Sequence, residues 1–137
     1  MAKQFSLMPF ISVIILLSLI EVLLILSGLL PPVSSYSAVN LPLKLLRWGV
    51  IVYVAVTLKE SLVKSATKGA ILSFAGISII CMGTFVGNYL GKPVLGVPVY
   101  SMIHFYVVLI ILILENVLVG ALVAACSVLI AKKLKRD

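Results

Sequence analysis

Four long apolar runs dominate this chain of 137 residues. Each run approaches the roughly 20 residues that a helix needs to cross a hydrocarbon core about 30 Å thick. Prolines, glycines, serines and charged residues separate the runs and mark turns. We therefore predict an all-α integral membrane protein in which residues 1–137 form a single compact bundle of four transmembrane helices, over about 10–30, 43–63, 69–91 and 102–131.

Composition excludes two other classes of protein. With 63% hydrophobic and 11% charged residues, the chain is neither a water-soluble globular domain nor a disordered polypeptide. Its formal net charge of +7 would ordinarily suggest nucleic acid as a partner. In so apolar a chain, anionic lipid headgroups are the simpler explanation of what balances this positive charge. We predict the lipid bilayer as a partner and no binding of nucleic acid.

Two of the runs allow another interpretation. For the first, a cleaved signal peptide is the alternative, but the run is too long and no small-residue cleavage site follows it, so we predict a retained helix. The second carries Lys44 and Arg47 near its start and Lys59 and Glu60 near its end. A helix lying on the membrane surface, giving three spans, is the alternative there. We expect Arg47 to reach outward to lipid phosphate, which makes a tilted span the favoured interpretation.

The basic residues are distributed unevenly between the two sides of the four-helix scheme. Basic residues concentrate on the cytoplasmic side, so the positive-inside rule predicts a multi-pass protein of the cell membrane with both termini in the cytoplasm. The inner group is Lys3, Lys59, Lys64, Lys68, Lys132, Lys133, Lys135 and Arg136, and the outer group is Lys44, Arg47 and Lys92.

Two carboxylates interrupt the apolar runs. Glu21 lies about 16 Å along the first helix, and Glu115 about 18 Å along the fourth, at 1.5 Å per residue. Both depths fall near the bilayer centre, where burial favours the uncharged acid and where proton and cation pathways need such groups. With Asn116 beside Glu115, they are our candidates for a proton or ion path. The alternative is that each acid makes one hydrogen bond between helices or pairs with a basic group.

Few residues are suited to holding a cofactor. His104 is the only histidine, so within this chain it offers one ligand, for a haem or quinone shared with a partner subunit. A histidine bonded to water or backbone is the simpler alternative. Cys81 and Cys126 have no C-x-x-C spacing. We predict no metal site and no intrinsic cofactor.

Small residues predict close helix packing. Glycines spaced four apart let two helix backbones approach, and the third and fourth runs both carry small residues at such spacings. The pattern does not say whether the partner helix belongs to this chain, to a second copy or to another subunit. The candidate packing residues are Gly83, Gly87, Gly91, Gly120 and Ala124.

No hydrolase, nucleotide-binding or metalloprotease motif is present, so we predict no catalysis by the chain on its own. The leading hypothesis is a small accessory or structural subunit of a larger membrane complex, respiratory or energy-converting, whose carboxylates contribute to a proton path. Its partners would be larger membrane subunits. The alternative is a small homo-oligomeric transporter or channel, coupled to ions or protons.

Overall fold

Four helices form the chain in the computed structural model, which describes residues 6–33, 38–58, 60–96 and 101–134. Each is long and apolar enough to cross a membrane, so the prediction of an all-helical chain with four such helices is confirmed for these residues. A short 3₁₀ turn, Ala38–Asn40, leads into the second helix. The helices are α1 (Met8–Leu26), α2 (Leu41–Leu58), α3 (Leu62–Tyr89) and α4 (Met102–Lys133).

The first helix ends at Leu26, earlier than the predicted residue 30. Gly28 adopts a φ of +82°, a left-handed conformation that ends a helix and that glycine tolerates best. The Gly28 N–H donates to the Ile25 carbonyl at 3.0 Å, and the Leu29 N–H donates to the Leu24 carbonyl at 2.9 Å. This pair of bonds is the Schellman motif, which satisfies carbonyls that the helix leaves open.

Gly91 ends α3 in the same way. Its φ is +67°, and the Lys92 N–H donates to the Gly87 carbonyl at 2.8 Å. A Cβ built on Gly91 would have nothing within 4 Å. Gly91 was predicted to pack against another helix. In the structure it instead supplies the positive φ of the turn that ends α3.

The break between the second and third helices lies earlier than the predicted one. Ser61 is the N-cap of α3, where its Oγ accepts from the Lys64 N–H at 3.4 Å. Glu60 and Lys68 form an ion pair with 2.8 Å between charged atoms, across the first turns of the helix. The third helix accordingly begins at Leu62 rather than at residue 69, and its charged first turns extend the bundle beyond the apolar span.

The helices pack with α2 and α3 in the centre. The most extensive contact joins α3 to α4, α3 also packs against α1, and α2 contacts the other three helices. We call the end of the bundle where α1 and α3 finish, and where α2 and α4 begin, the loop end.

Two apolar layers fill the interior. One lies toward the loop end, and the other lies toward the opposite end. The first contains Val22, Ile25, Ile77, Ile80, Cys81, Val94, Leu95, Phe105 and Leu109, and the second contains Ile14, Ile51, Val54, Ala55, Leu72, Ala124 and Val128.

The connecting segments at the loop end pair with each other. Val33 and Leu95 form an isolated parallel bridge, in which the Val33 N–H donates to the Val94 carbonyl at 2.7 Å. The Lys92 ammonium donates to the Leu26 carbonyl at 2.8 Å. The prolines and glycines over 92–101 predict an interfacial loop rather than a buried element. This prediction is wrong at Val94 and Leu95, which are buried. Residues 97–100 lie outside the described residues.

Candidate functional site

An ion pair lies inside the bundle, between the two apolar layers. Arg47 of α2 donates through Nη1 to the Glu21 carboxylate of α1, with the two atoms 2.5 Å apart. The side chain of Glu21 is 1% exposed and that of Arg47 is 14% exposed. The same Nη1 donates to the Ser18 hydroxyl at 3.2 Å. Three polar side chains from two helices thus satisfy one another in the protein interior.

Local sequence explains why these groups meet. Ser18 and Glu21 lie on the buried face of α1, three residues apart and therefore one above the other. Opposite them, α3 has a glycine: a Cβ on Gly76 would lie 2.9 Å from Ile14 Cγ2 and 3.1 Å from the Ser18 Oγ. Gly76 therefore lets the face of α1 that carries Ser18 approach α3 closely.

The ion pair corrects the expectation for Arg47. The guanidinium lies against Glu21 inside the protein, so the expectation that it extends to lipid phosphate is wrong. In the structure Glu21 pairs with a basic group of the same chain, which is one of the alternatives left open for it in the sequence.

A polar cavity of about 220 Å³ adjoins the ion pair. The Val33 and Leu95 bridge lies at its loop end, and apolar side chains of α3 and α4 form much of its wall. We use the name polar cavity for this space throughout. Its polar lining is Glu21, Asn40, Lys44, Arg47, Glu115 and Asn116, and its apolar lining is Val33, Leu41, Ile77, Ile80, Leu95, Val108 and Leu112.

The structure brings Glu115 and Asn116 to this cavity, together with Glu21. Glu115 is exposed at the surface of the chain, and the described residues give its carboxylate no ion pair. Asn116 is half-buried, and its Nδ2 donates to the Leu112 carbonyl of the preceding turn at 2.8 Å. Glu115 is therefore the carboxylate with free acceptors in the polar cavity.

Two lining residues were missed by sequence reasoning. Asn40 is 6% exposed, its Nδ2 donates to the Pro31 carbonyl at 3.1 Å, and its Oδ1 has no partner among the described residues. Lys44 extends from the first turn of α2 with its ammonium 5.3 Å from the centre of the Trp48 ring. Asn40 belongs to a stretch rich in Ser and Pro between the first two apolar runs, and that composition predicts a loop rather than a buried side chain.

The remaining candidates lie away from the polar cavity. His104 is half-buried in the first turn of α4, where its backbone N–H donates to the Ser101 hydroxyl at 3.1 Å. Within the described ranges, no three histidine, cysteine or acidic residues come together in a way that would hold a metal ion.

The small residues fall into two groups by the helix that they face. Gly83 faces α1, because a Cβ there would lie 2.5 Å from Val22 Cγ1, and Gly87 faces Val94 beneath the loop. Gly120 and Ala124 face α3, where Gly69 lies directly against the Gly120 carbonyl. We call the crossing of α3 and α4 formed by Gly69, Ser73, Gly120 and Ala124 the small-residue seam.

Comparisons with protein-family models, with curated proteins and with solved structures give no match for this chain.

Proposed function

We propose that this protein is a small membrane transport protein that binds a polar or charged solute in the polar cavity and passes it across the bilayer. The observation that carries this proposal is the cavity itself, about 220 Å³ in volume and lined by ionisable side chains of three helices. Charged groups at membrane depth are costly and mark pathways for ions and solutes. The cavity lies within the helix bundle, lined in part by Ile77, Ile80 and Leu95 of the apolar layer at the loop end. Transporters bind solutes at such sites between membrane helices.

The ion pair supports transport over a purely structural role. A buried pair of charges contributes little net stability compared with apolar side chains of similar volume. In a protein with a purely structural role, Glu21 and Arg47 would therefore add little stability over apolar residues at the same positions. As part of a cavity wall, the pair supplies a fixed dipole and hydrogen-bond donors without adding net charge.

Exposure of Glu115 supports an assembly of several chains. A carboxylate exposed on α4, without an ion pair among the described residues, needs cover or water within a membrane. A second copy of the chain provides that cover in a homo-oligomeric transporter. The same exposure favours a second candidate function, an accessory subunit whose Glu115 pairs with a basic group of a larger membrane protein.

We further propose that the protein lies in the cell membrane with both termini in the cytoplasm and the loop end outside. Four charged residues used for this orientation, Lys3, Lys59, Lys135 and Arg136, lie outside the described residues. In a protein with Cys81 and Cys126 replaced by alanine, we expect Val39→Cys to react with an impermeant maleimide in intact cells. Lys133→Cys should react only after permeabilisation. The reverse pattern would contradict the orientation.

Transport can be tested with liposomes that contain only this protein. Dyes would report proton and potassium flux, and light scattering would report entry of glycine, ethanolamine and acetate. For at least one of these probes we expect flux that Glu115→Gln lowers at least about tenfold, since a carboxylate hydrogen bond contributes about 1.5–3 kcal/mol.

The matched control for that experiment is Lys133→Met, which removes an exposed charge at the end of α4, away from the cavity. It should leave flux unchanged. If no probe crosses faster than through empty liposomes, the transport proposal is wrong and the accessory-subunit candidate takes its place.

A further inference from the structure

We propose that the polar cavity binds a small zwitterion with an apolar body, of which an aliphatic α-amino acid is the simplest free example. This inference rests on the proposed function, because it names the class of solute that the same cavity would take. It follows from the balance of charge in the cavity, from one unsatisfied acceptor and from the nature of the walls.

The charges that remain available in the cavity are one cation and one anion. Glu21 and Arg47 neutralise each other. Among the lining residues, Lys44 on α2 and Glu115 on α4 are then the remaining charged groups. A simple cation would leave Lys44 as a repelling neighbour, and a simple anion would leave Glu115 as one. A ligand with both an ammonium and an acidic group finds an opposite charge for each of its own, Glu115 for the ammonium and Lys44 for the acid.

Asn40 independently points to a ligand with N–H donors. Its side chain is 6% exposed, and its Oδ1 has no hydrogen-bond partner among the described residues although it lines the cavity. A buried acceptor left open costs free energy. An open acceptor in the cavity suits a primary ammonium, whereas a quaternary ammonium has no N–H to donate.

Donors for the acidic group come from α2. The guanidinium of Arg47 uses Nη1 for both Ser18 and Glu21, and in the described part of the chain its other N–H groups have no hydrogen-bond partner that would compete with a ligand. The Lys44 ammonium adds a point charge on the same helix. Carboxylates and phosphates both fit such donors, so a free amino acid and the headgroup of phosphatidylethanolamine share the required chemistry.

The apolar walls of the polar cavity and its volume limit the size and polarity of the rest of the ligand. Ile77, Val108 and Leu112 present apolar surface to the cavity. A volume of about 220 Å³ corresponds to about seven water molecules in the liquid and lies below the roughly 300–1,000 Å³ of pockets for drug-sized ligands. A molecule the size of leucine satisfies both conditions.

The experiment measures binding by the whole protein in nanodiscs of phosphatidylglycerol, which contains no amine. The probes are L-leucine, 3-methylbutylamine, which keeps the ammonium alone, and 4-methylpentanoate, which keeps the acid alone. Trp48 fluorescence gives the readout, because the indole lies beside Lys44. We expect leucine to bind at least about tenfold more tightly than either analogue, since each lost charge removes charge-assisted hydrogen bonds.

Variants assign the two ends of the ligand. Glu115→Gln should weaken leucine binding at least about tenfold and bring it near that of 4-methylpentanoate, and Lys44→Met should bring it near that of 3-methylbutylamine. Lys133→Met is the control and should bind leucine normally. Replacing phosphatidylglycerol by phosphatidylethanolamine identifies the source: loss of leucine binding assigns the site to the lipid headgroup, and unchanged binding assigns it to the free amino acid.

Two results would overturn the inference: equal binding of leucine and its analogues, or no binding of leucine up to its solubility limit. The outcome is separable from that of the proposed function. Ion flux that depends on Glu115 without leucine binding would leave transport standing and remove the zwitterion. Leucine binding without flux would do the opposite.

Discussion

Replacing Arg47 by methionine should lower the free energy of unfolding by about 3–5 kcal/mol, because it leaves the buried Glu21 carboxylate without its counter-ion. Ser18 offers that carboxylate no replacement charge. The loss can be measured in detergent micelles by titration with sodium dodecyl sulfate, with helix content followed by circular dichroism.

A double variant separates loss of pairing from loss of packing. When Glu21→Gln is combined with Arg47→Met, no uncompensated charge remains, and we expect more than half of the lost stability to return. Lys133→Met removes the same charge from an exposed helix end and should change stability by less than about 0.5 kcal/mol. Equal stability of the single and double variants would show that the pair is not what holds α1 to α2.

Replacing Gly69 by alanine should destabilise the protein by about 1–3 kcal/mol, even though alanine favours helix. The new Cβ would overlap the Gly120 carbonyl and would lie 2.6 Å from the Ala124 Cβ. Neither group can move without shifting a helix backbone, so α3 and α4 must separate along the small-residue seam. This seam lies in the most extensive helix contact of the bundle.

Gly49 provides the matched control for Gly69. It is also a helical glycine, but a Cβ there would have nothing within 4 Å. Gly49→Ala should therefore stabilise the protein by up to about 1 kcal/mol through helix propensity alone. The difference between the two alanine variants isolates the steric term. If both shift the denaturation midpoint in the same direction and by the same amount, close packing at the seam is not limiting.

Hydrophobicity and length made the helical architecture predictable, whereas local hydrogen bonding decided where the helices stop. Gly28 follows a run of leucines that continues to Leu30, so apolar composition alone extended α1 too far. Its positive φ and the Schellman bonds end the helix before the hydrophobicity ends. In the same way Ser61 starts α3 ahead of its charged first turns.

The pairing of Glu21 with Arg47 had a sequence signal that depth from one end of a helix obscures. Glu21 precedes the end of α1 by about 8 Å, and Arg47 follows the start of α2 by about 9 Å, at 1.5 Å per residue. Helices joined at one end place residues equidistant from that junction at the same level. Measured from the loop end, the two opposite charges coincide.

By itself, the sequence determined that this chain is built from four long apolar helices, because the length and hydrophobicity of each run are properties of consecutive residues. Which polar groups meet was decided only by tertiary structure. The polar cavity draws Asn40, Lys44 and Arg47 from one part of the chain and Glu115 from another part far along it. Their proximity depends on helix rotation and on close approach at glycines such as Gly76, which local sequence does not encode.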